Sequence, residues 1–417
     1  MNKVFASIIT IGDELLIGQV IDTNSAWIAQ QLNEAGILVK ERISVGDVWR
    51  DIWEALDRAA ANSSIVLITG GLGPTADDIT KPLLCEYFGG NMVVSEVVLK
   101  HVEEIFRKLN RPMIERNRKQ AEVPDVCAVL FNPRGTAPGM WFEKDGVVFA
   151  SMPGVPHEMK GIMQNEVIPR LQQRMALPSI VHRTLLTVGV GESFLAEKIQ
   201  AWEEALPAHI KLAYLPNYGM VRLRLSGHGA DKKILEDEVD AEFEKLKPII
   251  QEWLVTDKDE KIEMVLGRLL QEKGLMMATA ESCTGGYMAH LITALSGSSA
   301  WYAGSVVSYS NKVKTNVLGV SESILTEHGA VSQPVVEQMV RGVLAQTGAD
   351  VAVAVSGIMG PDGGSEEKPV GTAWVAVGNA LRIEVKQFHF RFDRMRNIEL
   401  TATHALNFLR SWIIEHS

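Results

Sequence analysis

Residues 279–286, Thr-Ala-Glu-Ser-Cys-Thr-Gly-Gly, lie between the apolar runs 275–278 and 287–292. A short apolar run, a Ser/Thr/Gly turn and a renewed helical spacing predict a strand, a tight turn and a helix start. Such a turn gathers backbone N–H groups and a positive dipole end at one spot. Ser282 placed there has its hydroxyl beside oxyanion donors, as acyl transfer requires. The plain alternative is that Ser282 caps the helix. Two further apolar runs end in polar loops: 303–309 leads into Ser310–Lys314, and 351–355 into the glycine-rich 356–364. If the three loops meet, Lys314, desolvated or set beside Lys312, is the base that Ser282 needs. Tyr309 would relay the proton or donate to a departing amine. No histidine falls in these motifs, which disfavours a Ser/His pair; His290 reads as packed or at the surface. Cys283 is the better intrinsic nucleophile but reads as a thiol behind the turn. Solvated lysines, a core Tyr309 and a second hydroxyl pair, Ser298-Ser299, stay open.

The first third repeats the pattern. Residues 4–11 run into Gly12-Asp13-Glu14, 65–68 into 69–78, and 147–150 into 151–156, with helical patterns at 24–33, 49–61 and 99–109. Strands alternating with helices predict a parallel sheet whose ligand lies beyond the strand C-termini. Glycines there admit phosphate oxygens, and carboxylates hold a hard divalent cation. Asp78 is the first choice as metal ligand or general base, with Glu14 and Glu158 beside it. A plain turn at Gly70-Gly71-Leu72-Gly73 and a helix-start role for Asp77 are the alternatives. The six Lys/Arg of 107–119 read as a solvated face or as a phosphate contact.

The positioning elements follow from length and composition. A chain of 417 residues predicts two or three domains. Hydrophobic content of 46% with 22% charged residues is ordinary for a soluble globular protein. A net charge of −10 argues against nucleic acid as the main ligand. Cys85, Cys127 and Cys283 predict free thiols and a cytoplasmic location. The first apolar run reads as a strand, not a signal peptide, and none reaches the ~18 apolar residues of a membrane span. In the middle, 185–190 predicts a strand, 191–199 a helix start, 216–219 a turn, 221–225 a strand and 231–246 a helix. Gly189-Val190-Gly191 is structural, and 256–260 suits a linker.

Several long motifs carry a family resemblance. They are 12–18 (Gly-Asp-Glu-Leu-Leu-Ile-Gly), 22–25, 69–78, 135–139 and 153–159, then 280–286, 297–302, 307–311, 328–332, 356–364 and 368–372. Over nearly its whole length the chain resembles the CinA family of competence/damage-inducible proteins. The resemblance implies an α/β protein of three parts. These are a three-layer molybdopterin-binding-like domain (1–176), a small KH-like α+β domain (177–258) and a C-terminal α/β deamidase domain (259–417). It implies an amidohydrolase converting nicotinamide mononucleotide to nicotinic acid mononucleotide and ammonia. It also implies a metal-dependent ADP-ribose pyrophosphatase in the first domain, with an unidentified divalent ion there and no cofactor in the last. Catalysis then falls to Ser282, Lys314 and Tyr309, and to Asp78 in the first domain. Thr284, Gly285, Gly286, Ser299, Ser356, Gly357 and Arg394 bind one substrate; Gly70, Gly71, Gly73 and Asp13 bind the other. The partners implied are small nucleotides and a second copy of the chain, with neither nucleic acid nor membrane; the KH-like part lacks a Gly-x-x-Gly loop. One departure stands out: Phe392-Asp393-Arg394 replaces the family's Gly-Asp-Arg, removing glycine freedom beside Arg394. Two rival readings are a molybdenum-cofactor transferase and a non-enzymatic competence adaptor.

Overall fold

The computed structural model describes residues 3–75, 78–175, 177–217 and 219–416, so the readings placed on Asp77 and Tyr218 lie outside the described residues. The chain forms two compact units, Met1–Val181 with Gly227–Asp237, and His182–Ser226 with Glu238–Ser417. Among the described residues no helix is long and apolar enough to cross a membrane.

In the first unit, β1 (Phe5–Ile11), β2 (Leu38–Val45), β3 (Ile65–Thr69), β6 (Ala128–Leu130), β7 (Gly139–Lys144) and β8 (Val147–Met152) build one sheet, while β4 (Met92–Val94) and β5 (Glu122–Pro124) pair separately. The sheet order is β2-β1-β3-β8-β7-β6. β2, β1, β3 and β8 run parallel, and β7 and β6 add an antiparallel edge that the strand–helix alternation did not predict. Side chains alternate along β1: Ala6 and Ile8 pack with Ile28, Leu32 and Met159 on one face, Ile9 and Ile11 with Ile52, Leu56 and Leu83 on the other. Helices Thr23–Glu34 and Pro156–Ile162 therefore cover one face, and Trp49–Asn62 and Thr80–Tyr87 the other. This is the three-layer domain. Because β1, β3 and β8 are parallel, their three glycine-bearing loops open on one edge.

A four-stranded sheet of β9 (Ser179–Val188), β10 (Ile210–Asn217), β11 (Met220–Gly229) and β12 (Leu254–Thr256) has the order β10-β11-β9-β12, with helices Glu192–Glu204 and Lys232–Leu246. The last sheet contains β13 (Met277–Glu281), β14 (Tyr302–Val307), β15 (Val351–Gly357), β16 (Thr372–Gly378) and β17 (Ile383–His389) in the order β14-β13-β15-β16-β17. Helices Ile262–Lys273, Tyr287–Thr293 and Arg394–His416 pack on one face, Gln333–Thr347 on the other.

Register brings the polar loops level. β14, β13 and β15 are parallel, and Glu281 pairs with both Val307 and Val355. Ser282, Ser308 and Ser356 are thus the next residues on three adjacent strands, stitched by Ser282 N–H to Val355 O (3.1 Å) and Ser308 N–H to Glu281 O (2.7 Å). From Ser308 the chain turns into helix Asn311–Leu318. Helix Gln333–Thr347 holds that helix in place at Gly342, where a Cβ would lie only 2.0 Å from Leu318 O. Gly342→Ala is therefore expected to force the two helices apart, destabilising this unit by about 1–3 kcal/mol. An unchanged unfolding midpoint by circular dichroism would contradict this close approach.

Candidate active site

Ser282 and Lys314, 32 positions apart, meet: Lys314 Nζ donates to Ser282 Oγ at 3.0 Å and to Ser308 O at 2.7 Å. Lys314 is only 1% exposed, an unusual state for a lysine. Helix Asn311–Leu318 puts it there, its first turn closed by Ser310 Oγ accepting from Val313 N–H. Burial pushes the Lys314 ammonium below the ordinary lysine range, opposed by its proximity to Cys283. Lys312 is exposed, so desolvation and not a neighbouring ammonium is what lowers Lys314. Once neutral, an amine so placed has a lone pair for the same hydroxyl, an arrangement that can serve as a nucleophile and its base.

The turn after β13 differs from the expected anion cradle. Helix Tyr287–Thr293 starts after Gly286, so Ser282 is not its cap. Glu281, fully buried, takes the donors instead. Its carboxylate accepts from Thr284 Oγ1 (2.7 Å), Gly286 N–H (3.1 Å), Met288 N–H (3.1 Å) and Ala289 N–H (2.8 Å). The protein's own side chain thus fills the anion site at this helix start. Gly285 N–H is spent on Ser282 O. Thr284, Gly285 and Gly286 are therefore corrected from substrate contacts to structural parts of the turn. The amides of Cys283 and Thr284 face the Cys283 thiol, which burial pushes up to about 12. A thiol so held stays protonated and is no rival to Ser282.

Ser282 and Lys314 open onto a cavity of about 290 Å³ that Tyr309, Ser356, Gly357 and Arg394 also line. That size lies at the lower edge of the range of small-molecule sites. Tyr309 is 64% exposed and not core. Arg394 spans the rim, donating to Gly360 O (2.7 Å) and Tyr309 Oη (3.1 Å). Phe392 does not displace it, because the loop is closed by buried Asn397: Phe392 N–H donates to Asn397 Oδ1 (3.2 Å), and Asn397 Nδ2 to Phe392 O (2.9 Å). Ser356 Oγ donates to Ala330 O at 2.7 Å, bringing the 328–332 loop to the wall. Ser299 and His290 are exposed and not in the lining, which removes Ser299 as a substrate contact. Sequence reasoning missed Glu281, Asn397 and Ala330. Only Glu281 left a signal, a carboxylate at the end of an otherwise apolar strand.

In the first unit, Glu14, Asp22, Asn24, Thr69, Gly70 and Gly154 line a cavity of about 120 Å³ on the predicted sheet edge. Asn24 Nδ2 donates to Gly154 O at 2.7 Å, while its buried Oδ1 has no partner among the described residues. The other carboxylates are occupied elsewhere. Asp78 staples its own loop, accepting from Gly73 N–H (2.7 Å), Thr75 N–H (2.8 Å) and Thr75 Oγ1. Glu158 accepts from Asn132 Nδ2 at 2.6 Å, and burial pushes its carboxyl up. Asp13 Oδ1 accepts from Asp47 N–H at 3.2 Å, and neither it nor Gly71 or Gly73 lines the cavity. Among the described residues no three His, Cys, Asp or Glu side chains could hold a metal ion. Asp78, Glu14 and Glu158 thus do not assemble, and these residues do not fit a divalent ion. In the basic stretch, Arg107 and Lys108 pair with Glu104 and Arg118 with Glu103, as a solvated face does.

Three family models match the chain: the CinA C-terminal domain over residues 259–413, the "Probable molybdopterin binding domain" over 7–173, and the damage-inducible protein CinA KH domain over 182–255. A CinA-like protein of Cytophaga hutchinsonii is 46% identical over 414 residues, 99% of each chain. One of Salinibacter ruber is 40% identical over 406 residues, 96% of this chain and 97% of its own. Among solved structures, a competence/damage inducible protein of Agrobacterium tumefaciens is 39% identical and covers 36% of this chain and 94% of its own, with a TM-score of 0.35.

The buried Glu281 carboxylate carries a stability prediction. Glu281→Ala strands three backbone donors and a hydroxyl away from water, at an expected cost of about 3 kcal/mol or more. Glu281→Gln keeps one accepting oxygen and should fall between. A denaturant midpoint for Glu281→Ala equal to wild type would contradict the assigned role.

Proposed function

The chain belongs to the CinA family, and we propose that its C-terminal site is an amidohydrolase converting nicotinamide mononucleotide to nicotinic acid mononucleotide and ammonia. One observation carries this reading: a buried lysine whose Nζ lies 3.0 Å from a serine hydroxyl on the wall of a ligand-sized cavity. An adaptor has no use for a desolvated amine, whose burial only costs stability.

Neutral Lys314 takes the Ser282 proton as Oγ attacks the carboxamide carbon, and the C=O bond pair moves to oxygen. The amides of Cys283 and Thr284 face the Cys283 thiol, and those of Gly285 and Gly286 are engaged within the turn, so the four amides after Ser282 serve the turn itself. The Lys314 ammonium returns its proton to the amide nitrogen as the C–N bond breaks, and ammonia departs. Tyr309, at the rim, is the group placed to hydrogen-bond that nitrogen. Water then attacks the Ser282 ester, giving one proton to Lys314, which passes it to Ser282 Oγ as the ester C–O bond breaks; the acid product releases its remaining proton to solvent and leaves as the carboxylate. Arg394 is the cation at the mouth suited to the substrate phosphate.

A second activity, hydrolysis of ADP-ribose to AMP and ribose 5-phosphate, is supported by the first unit's glycine loop and by Asn24, whose buried Oδ1 has no partner among the described residues and which lines a cavity with room for the phosphate end of that ligand. The resident carboxylates give no metal cage, so no step is assigned to a metal.

Ser282→Ala and Lys314→Met are each expected to lower ammonia release from nicotinamide mononucleotide by ~10²-fold or more with the fold retained. Methionine fills much of the lysine's space, brings no buried charge and cannot act as a base. Near-normal turnover in either variant would refute the assignment. ADP-ribose cleavage should persist in Ser282→Ala and fall in Asn24→Ala; equal rates in Asn24→Ala and wild type would count against the second site.

A further inference from the structure

Within the second unit lies another cavity, of about 360 Å³, whose lining shares no residue with that of Ser282. Its walls come from β11 (Met220, Arg222), from the start of helix Ile262–Lys273, from helix Tyr287–Thr293 and from helix Arg394–His416. Glu263 is the telling residue. Its side chain is only 5% exposed, it lines the cavity, and it accepts no hydrogen bond among the described residues. The nearest cation, Lys261 Nζ, stands 3.9 Å away on a side chain that is itself 70% exposed. A first-turn acid gains from the helix dipole while solvated, so the dipole does not explain why this one is buried. Glu399 and the Tyr287 phenol face the same space: burial, then Glu399, then Glu263 push that phenol up. Two carboxylates and a phenol beside Met220, Ile262 and Leu291 complement an organic cation with a flat, apolar body.

The opposite charge is present as well. Arg222, whose Nε shares Asp259 Oδ1 at 3.3 Å, and Lys261 line the same cavity. A ligand matching both ends carries a cationic ring and phosphates in one molecule. We propose that this cavity binds a pyridinium nucleotide, its ring against Glu263, Glu399 and Tyr287 and its phosphates toward Arg222 and Lys261. The site stands apart from Ser282 and does not depend on the reaction assigned there.

Calorimetric titration of the full chain carrying Ser282→Ala, so that no amide turns over, tests this with oxidised and reduced nicotinamide adenine dinucleotide. The two share every phosphate, and only the oxidised form has a charged ring. The oxidised form is expected to bind saturably and at least about tenfold more tightly than the reduced form. Adding Glu263→Gln, or Glu399→Gln in its place, should weaken it by about tenfold, the loss of one charge-assisted contact. No saturable heat, equal affinity for the two forms, or unchanged affinity in both glutamine variants would overturn the proposal.

Discussion

An ammonium group taken out of water is the constraint around which the C-terminal site is built. Among the described residues Lys314 has two polar contacts, Ser308 O and Ser282 Oγ, and neither is a carboxylate. Burial without a counter-charge favours the neutral amine, and a neutral amine is what a serine nucleophile requires. Both halves of that statement depend on backbone geometry. Parallel register ends β13, β14 and β15 at one level, so Ser282 and the Ser308 carbonyl reach the same point. The helix leaving β14 then returns Lys314 to it after less than two turns.

Around this pair the fold separates two tasks that a turn before a helix is often taken to combine. The donors at the helix start fix the turn, through Glu281, and so set the direction of Ser282. The cavity is lined by other loops: Arg394 and Tyr309 at the rim, and the 356–364 loop along the wall. The first unit shows the same economy. Asp78 organises its loop internally, while Asn24, Glu14 and Gly70 line the cavity.

Residues at the ends of apolar runs were legible in the sequence, because strand ends in such sheets collect at one edge. Ser282, Lys314, Tyr309, Ser356, Gly357 and Arg394 come together for that reason. The run itself could not show where Glu281 points, and that direction decides whether Thr284, Gly285 and Gly286 serve substrate or turn. Asp78 and Glu158 misled for a related reason: a carboxylate in a glycine-rich loop looks the same whether it faces a ligand or its own backbone. Strand pairing was half visible. The alternation of strands and helices gave the parallel strands, but the antiparallel β6–β7 edge depends on contacts far apart in the chain. Phe392 looked like a loss of loop freedom; Asn397, three positions after Arg394, closes the loop through its side-chain amide.

The protonation state of one side chain tests this account most directly. In ¹³C-lysine NMR of the full chain, with Lys314→Met used to assign the resonance, the Lys314 signal should titrate below the ordinary lysine value of about 10.4. Its signal should then report the neutral amine at a pH where the surface lysines are still charged. A Lys314 resonance titrating together with the bulk of the lysines would contradict the claim that burial supplies the base.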